Sequence, residues 1–347
     1  MRAFYAAETA RHDPHHFTLR GRVVANEDRP ERADRLLDGL ARVGLRAEAP
    51  PAAPRTALGE VHSPRYLAFL EGAAGEWAQL EGASAEVIAN AQPRLARATY
   101  PSGIVGRAGW HLADMASPIG PHTYAAAVRA VDTALAAADA VADGAARAYA
   151  LCRPPGHHAG RETAGGHCFL NNAAAAAATL ARRGARPAIL DIDVHHGNGT
   201  QSIFYARGDV LTVSVHADPA RFYPWFWGHA HEGGVGEGEG ANLNLPLPLG
   251  TDDAAWLEAI AVALDRVAAF GADTLVLSLG LDVHASDPLG GMSVTTEGIA
   301  RAGERVATAR LPTVVVQEGG YLSDALGDNL AAFLGGLAGG PIPSATP

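Results

Sequence analysis

The chain has 347 residues, of which 48% are hydrophobic and 18% charged, a composition that excludes intrinsic disorder and supplies a large core. Its 27 basic and 37 acidic residues give a net charge of −10, which argues against nucleic acid or an anionic membrane surface as a partner. All the basic residues are Arg, so chemistry that requires a Lys, such as Schiff-base formation, is also excluded.

Short apolar runs alternate with Ala- and Leu-rich amphipathic stretches, the pattern of βαβ units around a parallel sheet. Strands are predicted at residues 2–6, 148–152, 188–194, 210–216, 275–281 and 313–317. Helices are predicted at 32–43, 124–142, 172–183, 254–270 and 297–309, with Asn171 or Asn172 capping the third of them and Gly184 following its end. The alternation predicts an α/β fold with a mainly parallel sheet flanked by helices.

Two long segments do not follow the alternation, namely residues 77–120 and the Gly-rich, aromatic-rich stretch 217–241. Loops of this length in a compact domain are usually functional or disordered. The last residues, 339–347, are mostly Gly, Pro and Ser and are expected to fray. We therefore predict one domain over residues 1–338, with 77–120 as a loop-rich insertion, followed by a flexible tail.

Targeting and redox signals are weak in this chain. Charged and His residues interrupt the first thirty positions, so no signal-peptide core is recognised, and no apolar run approaches the roughly 18 residues that span a bilayer. Two cysteines, Cys152 and Cys168, are too few for a disulfide scaffold. A soluble, cytoplasmic protein is expected.

Nearly every predicted central strand is followed by a loop rich in His, Asp or Tyr. In open parallel sheets, sites form outside the carboxyl ends of the strands, so these loops are expected to converge. The segments concerned are 153–158, 191–199, Ser214 with His216, Asp282, and 318–321.

Asp191, Asp193 and His195 are spaced two residues apart, so in an extended strand all three would point to one face. Two carboxylates and an imidazole on a buried face would be unpaired without a cation. Asp282, from a neighbouring strand, would complete a three-ligand site with an open position, as in catalytic zinc. Fe(II) or Mn(II) also suits such ligands, and a strand-end hydrogen-bond network is the alternative.

Two further segments carry groups for acid–base chemistry. The tandem His157-His158 follows a Pro-Pro-Gly turn, and paired imidazoles beside a metal loop favour a general acid–base role over an idle exposed pair. Tyr321 follows Gly319-Gly320, which would let its phenol donate to a developing oxyanion; the alternative is a packing role.

Together these motifs resemble the arginase–deacetylase superfamily, on its histone deacetylase and acetylpolyamine amidohydrolase branch. The matching segments, in order, are 153–160, 165–172, 191–201, 278–288 and 318–321, within a resemblance that covers residues 2–337. The N-terminal half, through Tyr100-Pro101-Ser102, is most similar to bacterial acetylpolyamine amidohydrolases. The resemblance implies a single-domain fold with a mainly parallel sheet of about eight strands and long active-site loops at the strand carboxyl ends.

The resemblance also implies a role for each site residue. His158 would be the general base, His157 would stabilise charge or pass a proton to the leaving amine, and Tyr321 would polarise the carbonyl. Asp191 would support His157, and Asn198 would support His158. The implied zinc ligands are Asp193, His195 and Asp282.

Members of this family also bind potassium beneath the zinc. The residues that match this site are Asp191, Asp193, His195, Ser214 and Val215. A second monovalent site would be formed by Phe204, Arg207, Val210 and Ala241. Gly280 stands where the binuclear manganese branch places an Asp, so a single catalytic metal is predicted.

The substrate rim departs from the acetylpolyamine pattern. Two positions at which that branch uses Glu to attract ammonium groups hold Val105 and Ala116 here, with Asp114 nearby. His167 stands where an aromatic tunnel wall is usual, while Tyr223 keeps the facing ring. The predicted substrate-binding residues are Gly166, His167 and Tyr223.

The sequence therefore predicts zinc-dependent hydrolysis of an N-acyl amide, above all an N-acetyl group on a small amine such as a polyamine, releasing acetate and a free amine. Alternatives are a deacylase of acyl-lysine peptides, a deacylase of a metabolite or xenobiotic amide, and a non-catalytic small-molecule binding protein on the same fold. A homodimer is predicted, with 77–120 as its contact, and neither nucleic acid nor membrane is expected as a partner.

Overall fold

The computed structural model of the protein describes residues 1–93 and 98–339. Residues 94–97 of the predicted insertion and 340–347 of the predicted tail lie outside the described residues. The tail and the domain limit at residue 338 therefore stay predictions.

The described residues contain ten strands and ten α-helices. The strands are β1 (Arg2–Phe4), β2 (His16–Leu19), β3 (Arg22–Ala25), β4 (Ala47–Glu48), β5 (Arg147–Ala150), β6 (Pro187–Asp191), β7 (Leu211–Ala217), β8 (Asn242–Leu247), β9 (Thr274–Leu279) and β10 (Thr313–Gln317). The helices are α1 (Glu31–Arg42), α2 (Thr56–Val61), α3 (Pro64–Trp77), α4 (Ile104–His111), α5 (Thr123–Ala142), α6 (Asn172–Arg182), α7 (Asn198–Phe204), α8 (Asp253–Phe270), α9 (Thr296–Ala307) and α10 (Leu326–Ala338). Among the described residues, none of these helices combines the length and apolarity needed to cross a membrane.

Eight of these strands form one sheet in the order β4-β1-β5-β10-β9-β6-β7-β8. Every neighbouring pair in this sheet is parallel, and β2 and β3 form a separate antiparallel hairpin. The central strands are continuous apolar runs because helices cover both faces of the sheet. The predicted α/β fold with a mainly parallel, eight-stranded sheet is confirmed.

In strands β1, β5, β6, β9 and β10, alternate residues belong to two different hydrophobic cores. On β9, Val276 packs with helices α2–α7, whereas Leu275 and Leu277 pack with α1 and α8–α10. This period of two follows from the pleat of an extended strand. Because both faces are buried, polar side chains on the central strands concentrate at the strand ends.

The six predicted strands and five predicted helices are all present; β10 has the predicted bounds, and the other elements have shifted ends. The largest shift concerns β6, which ends at Asp191 rather than at residue 194. The Oδ1 atom of Asp191 accepts the backbone N–H of Asp193 at 3.1 Å, and this local bond turns the chain out of the strand. Asp193 and His195 therefore lie in the turn after β6, and the prediction that they share a strand face with Asp191 is wrong.

Several elements were not predicted, namely β2, β3, β4, β8, α2, α3, α4, α7 and α10. Helix α10 was missed because glycines usually mark loops. Here a Cβ atom at Gly336 would overlap the carbonyl oxygen of Ala300, so the glycine permits the close packing of α10 against α9. Part of the 77–120 segment is regular as well, since α4 lies within it and Val87 forms a bridge with Ile119.

Candidate active site

The candidate site lies at the carboxyl ends of β5, β10, β9, β6 and β7, which are consecutive in the sheet. Cross-strand hydrogen bonds join the loops that follow these strands. The Gly319 N–H donates to Asp193 Oδ2 at 2.7 Å, and the Val194 N–H donates to Asp282 Oδ1 at 3.1 Å. The structure thus brings together the segments that the sequence predicted to converge.

Asp193, His195 and Asp282 form a compact group whose possible ligand atoms all lie within 4.8 Å of one another. His195 Nδ1 lies 3.1 Å from Asp193 Oδ1 and 3.2 Å from Asp282 Oδ2. Both carboxylates are fully buried. Two buried carboxylates this close need a positive charge between them.

The pKa values of this group show how strongly it demands a cation. Although burial opposes protonation, hydrogen bonds to the two carboxylates raise the pKa of His195 to about 9. Burial and the neighbouring Asp193 raise the pKa of Asp282 to about 7. Without a metal, protons supply the missing charge; a divalent ion would replace them, so these donors fit a catalytic zinc.

A second close group of possible metal ligands in the described residues consists of His157, Cys168 and Glu318. Its chemistry is different, because burial raises the pKa of the Cys168 thiol well above its usual value and keeps it protonated. Glu318 Oε2 already accepts the backbone N–H groups of Gly156 at 2.6 Å and of His157 at 3.1 Å. Glu318 therefore holds the backbone at the start of the tandem histidines.

Gly280 bears on the prediction of a single catalytic metal ion. A Cβ atom at this position would overlap the Asp193 side chain, so no larger residue fits there without a shift. The position therefore supplies no bridging carboxylate, in keeping with a single metal ion.

His157 and His158 are buried side by side, with ring centroids 4.0 Å apart. The Nδ1 atom of His157 lies 2.9 Å from Asp191 Oδ2, and the Nδ1 atom of His158 lies 2.7 Å from Asn198 Oδ1. With Nδ1 donating in each case, the Nε2 atoms remain for chemistry. Both supporting contacts expected from the resemblance are present.

The two histidines differ in their pKa values because their neighbours differ. Burial lowers the pKa of both, but the carboxylates of Asp193 and Asp191 outweigh it and raise the pKa of His157 to about 10. His158 has a neutral amide behind it, and burial together with His157 and His195 lowers its pKa well below the usual value. At neutral pH the pair thus holds one charged and one neutral imidazole, as an acid and a base acting together require.

Tyr321 is buried and is held through its backbone. Its N–H donates to Asp287 Oδ2 at 2.7 Å, and the guanidinium of Arg32 lies 4.6 Å above its ring centroid. Arg32 also donates to the carbonyl oxygens of Gly320 at 2.7 Å and Glu318 at 2.8 Å. Burial, which Arg32 opposes, raises the pKa of the phenol well above its usual value, so the phenol stays a donor. Sequence reasoning missed Arg32 and Asp287, although Asp287 lies within the matching segment 278–288.

Tyr223 and Gly166 lie against His158. The Tyr223 ring is perpendicular to the His158 ring, with centroids 4.9 Å apart. Gly166 has a φ of 52°, and a Cβ atom there would overlap His158, so glycine is needed for this close approach. Phe222, which was not singled out from the sequence, stacks on His195 at 5.0 Å between centroids.

His167 lies on the Tyr321 side of the site. Its ring centroid is 5.6 Å from that of Tyr321 and 5.2 Å from that of Phe17, on β2. Burial lowers the pKa of His167 to about 4, so the ring is neutral at neutral pH. The predicted wall residues thus flank the catalytic groups. Of the two positions where the acetylpolyamine branch has Glu, Val105 lies on α4 and is 38% exposed, and Ala116 donates its backbone N–H to Asp114 Oδ1 at 2.8 Å.

The two sets of residues predicted to bind monovalent cations involve the middle and the start of β7. In the middle of this strand, Ser214 pairs in register with Asp191, and Val215 follows it. At its start, the Arg207 N–H donates to the Phe204 carbonyl at 2.8 Å, and the Thr212 N–H donates to the Ala241 carbonyl at 3.0 Å. Two members of each predicted set are thus in contact, and cation binding by either set stays a prediction.

Comparisons with known proteins give the family. The profile of the histone deacetylase domain matches residues 26–337. An acetylpolyamine amidohydrolase of Burkholderia pseudomallei is 46% identical, over 97% of this chain and 98% of that protein. The chain belongs to the histone deacetylase family. Acetylpolyamine amidohydrolase 2 of Pseudomonas aeruginosa is 40% identical to this family member, over 98% and 99% of the two chains.

The fold agrees with this membership. The crystal structure of an acetylpolyamine aminohydrolase from Burkholderia pseudomallei superimposes on this deacetylase with a TM-score of 0.94 at 46% identity, covering 97% of this chain and 98% of the other. The superfamily and the reaction class inferred from the sequence, an amidohydrolase of the deacetylase type, are confirmed.

Proposed function

We propose that this deacetylase hydrolyses the N-acetyl amide of a small acetylated amine, such as an acetylpolyamine, in a zinc-dependent reaction that releases acetate and the free amine. The observation that carries the proposal is the convergence of an Asp–His–Asp group with two buried histidines, one backed by the Asp191 carboxylate and the other by the Asn198 amide. Relatives that match this chain over nearly their whole length are named acetylpolyamine amidohydrolases. A non-catalytic binding protein would not need this set of groups.

Asp193, His195 and Asp282 would hold one zinc ion through their buried oxygen and nitrogen atoms. When bound, the ion polarises the amide carbonyl and makes water more acidic. Iron or manganese would also suit these donors. The resident metal is therefore part of the test.

The side chains divide the proton transfers between them. His158, neutral and donating from Nδ1 to Asn198, accepts a proton at Nε2 from the attacking water as the new C–O bond forms. Tyr321 donates a hydrogen bond to the carbonyl oxygen as negative charge develops there. His157, kept charged by Asp191, gives a proton to the amine nitrogen as the C–N bond breaks.

We extend the proposal to the supporting ions and the assembly. The carbonyl and hydroxyl oxygens around Asp191 and Ser214 suit potassium, and the set around Phe204 and Ala241 would form a second monovalent site. A homodimer that uses residues 77–120 and acts in the cytoplasm, without nucleic acid as a partner, completes the proposal. A monomeric mass by light scattering would contradict the dimer.

The test is a panel of acetylated diamines and polyamines, acetyl-lysine peptides and acetyl anilides, assayed with metal-stripped and with zinc-, iron- or manganese-reloaded protein. Acetate release is expected from the small amines, to disappear on stripping and to return with zinc. Turnover of the acetyl-lysine peptides alone would show that the substrate is an acylated peptide rather than a small acetylated amine. Undiminished hydrolysis by fully stripped protein would contradict the metal-dependent mechanism.

A further inference from the structure

Glu318 is a buried carboxyl group that takes no part in the proposed proton transfers. It follows β10 directly, three residues before Tyr321, and its side chain is completely enclosed. Burial, which His157 opposes, raises the pKa of Glu318 to about 7. A carboxyl group in the interior opposes folding unless it makes bonds that an apolar side chain cannot make.

The backbone of Glu318 is fixed on both sides. Its N–H donates to the carbonyl oxygen of Leu279, at the end of β9, at 2.8 Å, and its own carbonyl oxygen accepts a hydrogen bond from Arg32 at 2.8 Å. The side chain of the preceding Gln317 donates to the carbonyl oxygens of Leu279 at 3.1 Å and Gly319 at 2.8 Å. The Glu318 side chain therefore extends from a rigid point.

From this point the side chain extends to the loop that follows β5, the strand beside β10. Glu318 Oε2 accepts the N–H groups of Gly156 at 2.6 Å and His157 at 3.1 Å. The start of α6 covers the other side of this loop, because a Cβ atom at Gly156 would overlap the backbone nitrogen of Asn172. The turn that carries the tandem histidines is thus held between Glu318 and α6.

The two oxygen atoms of the Glu318 carboxyl group differ in their contacts. Oε2 makes both bonds to the turn, whereas Oε1 is buried and has no hydrogen-bond partner among the described residues. One acceptor atom at a defined distance from the backbone is therefore enough to hold the turn. The oxygen of a side-chain amide of the same length could accept the same two N–H groups.

We propose that Glu318 is a positioning residue that sets the distance between the tandem histidines and Tyr321, and that it acts through the length of its side chain rather than through its charge. This role rests on the proposed function and deepens it. Tyr321 and the base His158 must act on the same carbonyl group from two different loops, and small misplacements of such groups are costly. Glu318 joins the two loops, because its side chain bonds to the turn at His157 and its backbone leads into Tyr321.

Three substitutions separate the length of the side chain from its charge. Glu318→Gln keeps the length and removes the charge, Glu318→Asp keeps the charge and removes one CH₂ group, and Glu318→Ala removes the acceptor altogether. The zinc-loaded variants are assayed with an acetylated amine that the unaltered protein hydrolyses. Glu318→Gln is expected to keep kcat within about threefold, whereas the other two variants should lower kcat by about 10²-fold with little change in KM.

A second measurement follows the geometry and does not depend on turnover. Backbone N–H groups that are held by a buried acceptor exchange slowly with solvent. Hydrogen exchange of the peptide that contains Gly156 and His157, followed by mass spectrometry, should stay slow in Glu318→Gln and become faster in Glu318→Asp and Glu318→Ala. The matched control is Tyr149→Phe, which removes a buried hydrogen bond of 2.8 Å to Gln317 and is expected to change neither kcat nor this exchange.

The outcomes distinguish this inference from the proposed function. If the unaltered protein hydrolyses acetylated amines and Glu318→Asp and Glu318→Ala do so equally fast, the positioning role is wrong and the proposed function stands. If Glu318→Gln loses activity while Glu318→Asp keeps it, the charge is what matters and the inference is overturned. It is also overturned if Tyr149→Phe lowers kcat as much as Glu318→Ala, since a general loss of stability would then explain both. If the zinc-loaded protein hydrolyses no acetylated amine, the proposed function fails, and the exchange measurement alone decides whether Glu318 holds the turn.

Discussion

The candidate site has a floor, formed by Asp193, His195 and Asp282 with the tandem histidines, and a rim, formed by the loops around Asp114 and Tyr223. The floor and the rim are built in different ways. On the floor, Asp193 and Asp282 are fully buried and fixed by backbone N–H groups from neighbouring loops. On the rim, Asp114 and Tyr223 are only partly buried and come from the two long segments, 77–120 and 217–241, that do not follow the strand–helix alternation. The ends of packed strands hold reacting groups rigidly, whereas surface loops vary without disturbing the core. The comparison implies that the floor determines the reaction and the rim determines the substrate.

Removal of a metal ligand is expected to have the largest effect on the floor. Asp282→Ala leaves Asp193 and His195 with an incomplete ligand set, so kcat/KM for an acetylated amine should fall by at least about 10³-fold. Zinc content measured on the same samples should fall as well. An Asp282→Ala protein that keeps both zinc and full activity would remove Asp282 from the metal site. The control is Asp143→Asn, which changes an exposed carboxylate directly after α5.

Tyr321→Phe tests the phenol without altering the ring that packs under Arg32. Loss of one oxyanion donor usually lowers kcat by roughly 10²–10³-fold, and KM should change little. Steady-state kinetics measure both constants, and an unchanged melting temperature excludes unfolding as the cause. Full turnover by Tyr321→Phe would assign the tyrosine to packing.

The Asn198→Asp variant tests why the pKa values of His157 and His158 differ. The new carboxylate would raise the pKa of His158, so a smaller fraction of the base would be neutral below neutral pH. We expect the acidic limb of the profile of kcat/KM against pH to move upward, with activity on that limb about tenfold lower. An unmoved profile would show that His158 is not the titrating base.

Buried histidines behind the floor make stability sensitive to acid. Burial lowers the pKa of His62 from 6.5 to about 4 in the folded protein. Between pH 4 and pH 6.5, His62 is protonated in the unfolded chain but neutral in the folded protein. The contribution of His62 to the free energy of unfolding is therefore complete above pH 6.5 and is lost as the pH falls towards 4. Each pH unit in this window should cost about 1 kcal/mol for this residue.

Urea unfolding at neutral and mildly acidic pH measures this loss. His62→Gln should flatten the pH dependence of the free energy of unfolding by that amount, whereas a variant of the exposed His122 should not. The same dependence in wild type and His62→Gln would mean that His62 is not the acid-sensitive group.

The sequence by itself determined the parallel α/β sheet, since βαβ alternation has few other solutions and apolar runs mark strands that are covered on both faces. It also identified the loops that converge, because the carboxyl ends of parallel strands share one edge. The tertiary structure decided the turn that follows Asp191, the support of Tyr321 by Arg32 and Asp287, and the link from Asp114 to Tyr223. The support of Tyr321 and the link from Asp114 to Tyr223 depend on contacts between residues far apart in the chain, which local periodicity does not encode. The turn after Asp191 depends on the competition of a side chain with the strand for a backbone N–H.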